Sequence, residues 1–216
     1  MKSFNYNESL VEQPIAHFLF AHGAGADMNS TFMENMTTAL NKRNISVTRF
    51  NFHYMDKRLS DGKKYPPDRM PKLLERFAEA ISTLHITAPL FLLGKSMGSR
   101  VAATLTNELI ENPKGNPEIR GVICLGYPFH PINKIEQLRL EPLINNHYSI
   151  LILQGDRDKL GNKEEVLSYE LPENITTIFL PDGDHDLKPR VKSGYTHEQN
   201  LQSAVDHIER FVYENR

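Results

Sequence analysis

Leu92-Leu93-Gly94-Lys95-Ser96-Met97-Gly98-Ser99 decides how the rest of this chain is read. It contains Gly-x-Ser-x-Gly. The apolar run Pro89 to Leu93 precedes it, and Met97, Val101, Ala102, Leu105 and Leu109 follow at helical spacing. A serine between a strand and a helix sits on a sharp turn that pushes its Oγ out over the sheet edge. A β-carbon at Gly94 or Gly98 would collide with the neighbouring turn or helix. Ser96 also opens the helix, close to unpaired N–H groups and the positive end of the dipole. Pro113 is expected to end that helix.

The flanking chain repeats the strand-then-helix rhythm. Ile15 to Ala21 reads as a buried strand, followed by the small-residue turn His22-Gly23-Ala24-Gly25-Ala26. Phe32, Met33, Met36, Ala39 and Leu40 then recur at helical spacing, with Thr31 and Glu34 placed for a capping box. Ser46 to Phe52 is the second strand. His53 to Arg69, with five basic residues, Gly62 and the Pro66-Pro67 pair, reads as a long exposed loop. Asp68 is placed to cap a helix carrying Leu73, Leu74, Phe77, Ala80, Ile81 and Leu84. Beyond Ser96, strands are expected at Arg120 to Leu125, Tyr148 to Leu153 and Ile175 to Leu180. Helices are expected near Ile135 to Leu140, Lys163 to Glu170 and His197 to Tyr213. Six apolar strands alternating with amphipathic helices predict an α/β fold, a mostly parallel sheet covered on both faces. In such sheets sites form at the carboxyl ends of the strands.

The bulk composition narrows the partners. The chain has 216 residues, 39% hydrophobic and 24% charged, which predicts one globular domain over 1–216. A net charge of −2 gives no reason to expect nucleic acid. No apolar run approaches the length needed to cross a bilayer, and the polar stretch Met1 to Gln13 lacks a signal-peptide core, so no membrane partner is expected. The single cysteine, Cys124, has no partner in the chain, and a cytoplasmic setting is expected. Asp182, Asp184 and Asp186 lack the spacing of a calcium loop, and there is neither a zinc-type Cys/His cluster nor a Walker phosphate loop, so no metal or cofactor is expected.

Polar residues gather at the strand ends. A serine hydroxyl needs a base, and His185, in the turn Pro181-Asp182-Gly183-Asp184-His185-Asp186, is the best placed. The imidazole needs a carboxylate on its other nitrogen. Asp158, in Gln154-Gly155-Asp156-Arg157-Asp158, is expected to supply it, with Asp156 the alternative. An oxyanion needs two donors. The Met97 N–H follows the nucleophile, and the Ala24 N–H is the best candidate from the first loop. His22, Lys95, Tyr127, Phe129 and Lys188 lie beside the same ends and are candidate substrate contacts. His53 and His130 follow strands and are candidates to line the pocket. His17, His85, His147 and His207 read as ordinary surface or element-end residues, and His197 as a cap or an exposed residue. Lys63, Lys64, Lys95, Lys188 and Arg190 raise the prospect of an anionic substrate.

Over nearly its whole length the chain resembles the α/β-hydrolase superfamily. The resemblance rests on His22-Gly23-Ala24-Gly25-Ala26, Gly94-Lys95-Ser96-Met97-Gly98, Gly155-Asp156-Arg157-Asp158 and Asp184-His185. It is most similar to the small, cap-less, dienelactone-hydrolase-like branch, a likeness strengthened by Tyr127-Pro128-Phe129-His130-Pro131. The resemblance implies a Ser96–His185–Asp158 triad, oxyanion donors at Ala24 and Met97, and no lid. The chain departs from the fuller fold in beginning at what would be the third strand, so the antiparallel front of the sheet is expected to be missing. The expected activity is serine hydrolysis of a small ester or thioester through an acyl-enzyme. The alternatives are a non-catalytic interaction module, or an acyltransferase or peptidase using the same triad.

Overall fold

The computed structural model describes residues 5–109 and 118–216. In chain order the elements are β1 (Tyr6–Ser9), β2 (Ala16–Ala21), α1 (Thr31–Asn41), β3 (Ile45–Phe50), α2 (His53–Asp61), α3 (Met70–Ser82) and β4 (Leu90–Lys95). They continue as α4 (Met97–Leu109), β5 (Ile119–Leu125), α5 (Glu141–Ile144), β6 (Ile150–Gly155), α6 (Lys163–Leu167), β7 (Ile175–Leu180) and α7 (His197–Asn215). Pro113, expected to close α4, lies outside the described residues.

The strands form one sheet in the order β1-β3-β2-β4-β5-β6-β7. From β3 to β7 every pairing is parallel. From β2 the chain moves outward to β3, then jumps back across β2 to β4. The sheet therefore reverses its winding between β2 and β4. Loops leaving those two strands diverge there, which opens a crevice at their carboxyl ends.

Both faces of the sheet are covered, so every residue of β2, β3, β4 and β6 is buried, including polar ones such as His17, Ser46, Thr48 and Arg49. On one face Phe18, Phe20, Phe91, Leu93 and Ile123 pack under α1 and α7 through Met33, Met36, Val205 and Ile208. On the other, Leu19, Phe50, Leu92, Val122 and Cys124 pack under α3 and α4 through Leu73, Phe77, Val101 and Leu105. The chain from β5 to β6 carries only the single-turn α5 in place of a lid. Among the described residues no helix is long and apolar enough to cross a membrane.

The structure corrects several expectations. The sheet has seven strands, because Tyr6–Ser9 pairs antiparallel with β3 (Tyr6 opposite Phe50, Ser9 opposite Val47). The sheet thus keeps one antiparallel edge strand. Its Tyr-Asn-Glu-Ser sequence half-faces solvent and gives no apolar signal. The expected loop after β3 begins as a helix, α2, with Tyr54 and Met55 buried; Gly62 ends it at φ 69°, in the left-handed conformation glycine accepts most readily. Asp68 does not cap α3, whose N-cap is Arg69; its Oδ2 accepts from the Tyr54 N–H at 3.1 Å and so caps α2. Thr31 is the first residue of α1 rather than its cap, so the Thr31/Glu34 box does not form. The helix expected at Ile135 to Leu140 forms instead at Glu141–Ile144, where Pro142 sits in the first turn. His17 is buried in β2, with Nε2 2.8 Å from Thr48 Oγ1.

Candidate active site

Ser96 occupies the tight turn between β4 and α4 with φ 52°, a conformation that costs a non-glycine residue energy. The turn is held by the Ser96 N–H to Leu125 O, 2.9 Å, and by Ser99 Oγ to Gly94 O, 2.5 Å. Its tightness explains both glycines. A β-carbon on Gly94 would lie 2.2 Å from the Gly98 carbonyl carbon, and one on Gly98 would lie 2.5 Å from Ala21 O.

Two other loops converge on this serine. The loop after β7 brings His185, whose Nε2 is 2.7 Å from Ser96 Oγ. The loop after β6 brings Asp158, fully buried, whose Oδ2 is 2.7 Å from His185 Nδ1. The carboxylate is itself held: Gln154 Nε2 donates to Oδ2 at 3.0 Å and the Leu160 N–H to Oδ1 at 2.9 Å. A carboxylate only accepts, so Nδ1 carries the imidazole proton and Nε2 is left to accept from the serine hydroxyl. Asp156, the alternative acid, makes no hydrogen bond or ion pair with His185, whose Nδ1 is taken by Asp158. The arrangement has the geometry that activates a hydroxyl as a nucleophile.

The His185 loop is braced from several sides. Arg157 Nε donates to Asp182 O at 2.7 Å, and Asn200 Nδ2 to Leu187 O at 2.9 Å. Arg190 grips the Asp182 carboxylate, and these bonds hold that carboxyl down at about 2. The Lys95 ammonium donates to His185 O at 2.8 Å and pairs with Asp186 at 3.1 Å. Burial pushes Lys95 down from its usual value while Asp186 opposes the shift.

Ser96 and His185 open onto a cleft of about 590 Å³, whose lining includes apolar Ala24, Ala26, Phe32 and Met33 and polar Asn35, Lys188 and His197. Gly23 backs directly onto Ser96: a β-carbon there would lie 3.5 Å from Ser96 Cβ. Among the described residues neither the Ala24 N–H nor the Met97 N–H has a hydrogen-bond partner.

A family model described as an alpha/beta hydrolase domain matches residues 14–213. The chain belongs to this family. Among solved structures, this alpha/beta hydrolase domain is similar to a dienelactone hydrolase from Anabaena variabilis (15% identity, 97% of this chain and 91% of that chain covered, TM-score 0.72). It is also similar to Est1E from Butyrivibrio proteoclasticus with ferulic acid bound (12%, 98% and 95%, TM-score 0.70). A third is an α/β serine hydrolase without a lid from Xanthomonas campestris (19%, 97% and 88%, TM-score 0.65).

Within this hydrolase-fold chain the expected substrate contacts divide. Lys95 and Lys188 line the cleft. His22, Tyr127 and Phe129 do not: all three are fully buried. The chain after β5 turns inward, so Tyr127 donates its hydroxyl to Arg139 O at 2.8 Å and packs against Phe129 in the core. His130 is buried beside Glu165, 3.2 Å away, and His53 faces a separate groove with Pro66 and Pro67. Of the basic residues raised for an anionic substrate, Lys63 and Lys64 lie on the exposed 62–69 segment and Arg190 is paired with Asp182, leaving Lys95 and Lys188 at the cleft. His197 is the contribution sequence reasoning missed. Its Nε2 meets Asp186 O at 2.9 Å, and it lines the cleft from the start of α7, where nothing in the sequence marks it.

Proposed function

We propose that the chain is a serine hydrolase that cleaves a small ester or thioester through an acyl-enzyme. The observation that carries this reading is the continuous Ser96–His185–Asp158 hydrogen-bonded line, 2.7 Å at each step. Ser96 Oγ attacks the substrate carbonyl as its proton passes to His185 Nε2. Asp158, buried and already bonded to Nδ1, stabilises the imidazolium that forms. The negative charge on the former carbonyl oxygen falls to the Ala24 and Met97 N–H groups. Removing one such donor costs about 3 kcal/mol where it has been measured in other enzymes. Collapse of the tetrahedral species expels the alcohol or thiol, which takes the proton from His185. Water repeats the sequence on the acyl-enzyme, releasing the acid and restoring Ser96.

The cleft supports a small substrate. Its lining includes apolar Ala24, Ala26, Phe32 and Met33, and its volume of about 590 Å³ suits a short acyl or single-ring group. The similar folds include a dienelactone hydrolase and Est1E with ferulic acid bound, a single-ring molecule. A cytoplasmic setting belongs to the same reading, since Cys124 is buried and unpaired.

The test is hydrolysis of p-nitrophenyl acetate and butyrate by wild type and Ser96→Ala. The expected outcome is turnover by wild type and a loss on the order of 10⁴-fold or more in the variant. Equal rates would remove Ser96 from the mechanism.

A further inference from the structure

The oxyanion role of Ala24 depends on a peptide that should be easy to turn over. Gly23 and Gly25 flank Ala24, and glycine rotates its backbone at little cost. If the Gly23–Ala24 peptide turned, a carbonyl oxygen would face the developing negative charge in place of an N–H.

The structure holds that peptide by its carbonyl, and the next peptide by the carbonyl that follows. Gly23 O lies 2.6 Å from His22 Nδ1 and 3.3 Å from the Tyr54 hydroxyl. The next carbonyl, Ala24 O, lies 3.1 Å from the same hydroxyl and 3.4 Å from Arg58 Nη1. His22 has one proton arrangement available. Its Nε2 accepts from the Phe52 N–H at 3.1 Å, and a backbone N–H can only donate, so the ring proton sits on Nδ1, facing Gly23 O. Among the described residues no peptide is cis, and in a trans peptide the N–H points opposite to the carbonyl. Neither His22 nor Tyr54 lines the Ser96 cleft, whereas Ala24 does. A Gly23 carbonyl drawn to His22 and Tyr54 therefore turns the Ala24 N–H toward the cleft.

We propose that His22, Tyr54 and Arg58 are positioning residues for the oxyanion hole: His22 and Tyr54 lock the Gly23 carbonyl away from the cleft so that the Ala24 N–H faces it, and Tyr54 and Arg58 hold the next carbonyl, Ala24 O, and so fix the far side of that residue. This inference rests on the hydrolase reading above. Two of the three come from α2, which gives that short helix a role. The lock also stays closed over the working pH range, because burial pushes the His22 imidazole down to about 4, despite the opposing bond to Gly23, and so keeps it neutral.

The test compares Tyr54→Phe, His22→Asn and His22→Gln with wild type. Two readouts are used: p-nitrophenyl butyrate kinetics, and inhibition by an aliphatic trifluoromethyl ketone, whose adduct with Ser96 carries the same oxyanion. Tyr54→Phe removes one hydroxyl and keeps the ring packed on His22 and Phe52. It should lower kcat roughly 10-fold, leave KM within about two-fold, and weaken the ketone by the same factor as kcat. His22→Asn, whose amide nitrogen stands where Nδ1 stood, should retain most of the activity that His22→Gln loses.

Wild-type kcat in Tyr54→Phe overturns the proposal, as does a fall in kcat that ketone affinity does not follow. Should the His22 variants not fold, the structure of wild type with the ketone bound decides as well. The Ala24 nitrogen about 3 Å from the adduct oxygen supports the lock, and a Gly23 carbonyl turned into the cleft refutes it. A wild type without turnover sinks the hydrolase reading and this inference together, whereas an active wild type with indifferent variants sinks only the inference.

Discussion

Asp156 and Asp158 stand on the same loop, yet they face different surroundings. Asp158 is buried with three hydrogen bonds on its carboxylate, one of them to His185 Nδ1, while Asp156 makes none to that ring. Asp158→Asn should therefore lower kcat by about 10³- to 10⁴-fold, because an amide favours the wrong tautomer of His185. Asp156→Asn should stay within a few-fold; p-nitrophenyl ester kinetics on both variants check this. Lys95 is a tether between neighbours of the reacting groups. It is joined through the chain to Ser96 and through its ammonium to His185 O and Asp186. Lys95→Met should reduce kcat and lower the melting temperature, since it leaves the His185 carbonyl without its donor, a loss of about 1–3 kcal/mol. An unchanged melt and unchanged kcat would contradict the tether. Ser96, His185 and Asp158 were legible because each ends a strand in a polar turn. Tyr127 and Phe129 also follow a strand and were misread, because adjacency in the chain does not say whether an aromatic ring turns outward or into the core.

The turn from β4 to α4 works only while three segments of backbone nearly touch. Gly98→Ala would set a methyl 2.5 Å from Ala21 O and 2.8 Å from His22 O, both backbone atoms that cannot swing aside. It should cost more than about 3 kcal/mol, seen in urea unfolding or as loss of soluble protein. A near-normal midpoint would contradict the packing. α2 depends on a distant residue instead. Asp68→Ala removes the cap on the Tyr54 N–H and should cost about 1 kcal/mol, read from the same urea curves. The contrast explains what the sequence could convey. β2, β4, β5 and β6 announce themselves by apolar runs such as Phe18 to Ala21, Leu90 to Leu93, Val122 to Leu125 and Ile150 to Leu153, and β3 by its β-branched and aromatic residues. β1 hides in polar residues at an edge, and α2 buries only Tyr54 and Met55 of its nine residues and takes its cap from beyond its own end.

Taken whole, the molecule is a sheet between two helical layers, with the Ser96 cleft at the point where the winding reverses between β2 and β4. That placement is a consequence of strand order, and the sequence conveyed it only through the clustering of polar turns at strand ends. The same burial makes the fold acid-sensitive. Desolvation pushes His17 and His22 each from 6.5 to about 4 in the folded state. Between those values the unfolded chain binds more protons, so stability is complete above pH 6.5 and falls as pH drops toward 4. At pH 5 each histidine should contribute a loss of about 2 kcal/mol relative to pH 7.5, measurable by urea unfolding. An unfolding free energy unchanged between the two pH values would contradict their buried, neutral state. The most direct measurement is mass mapping after a fluorophosphonate is added to the folded protein. The account predicts one adduct, on Ser96, and no adduct when His185 is replaced by Ala. An unlabelled wild type, or labelling of Ser96 that persists at the wild-type rate without His185, would contradict it.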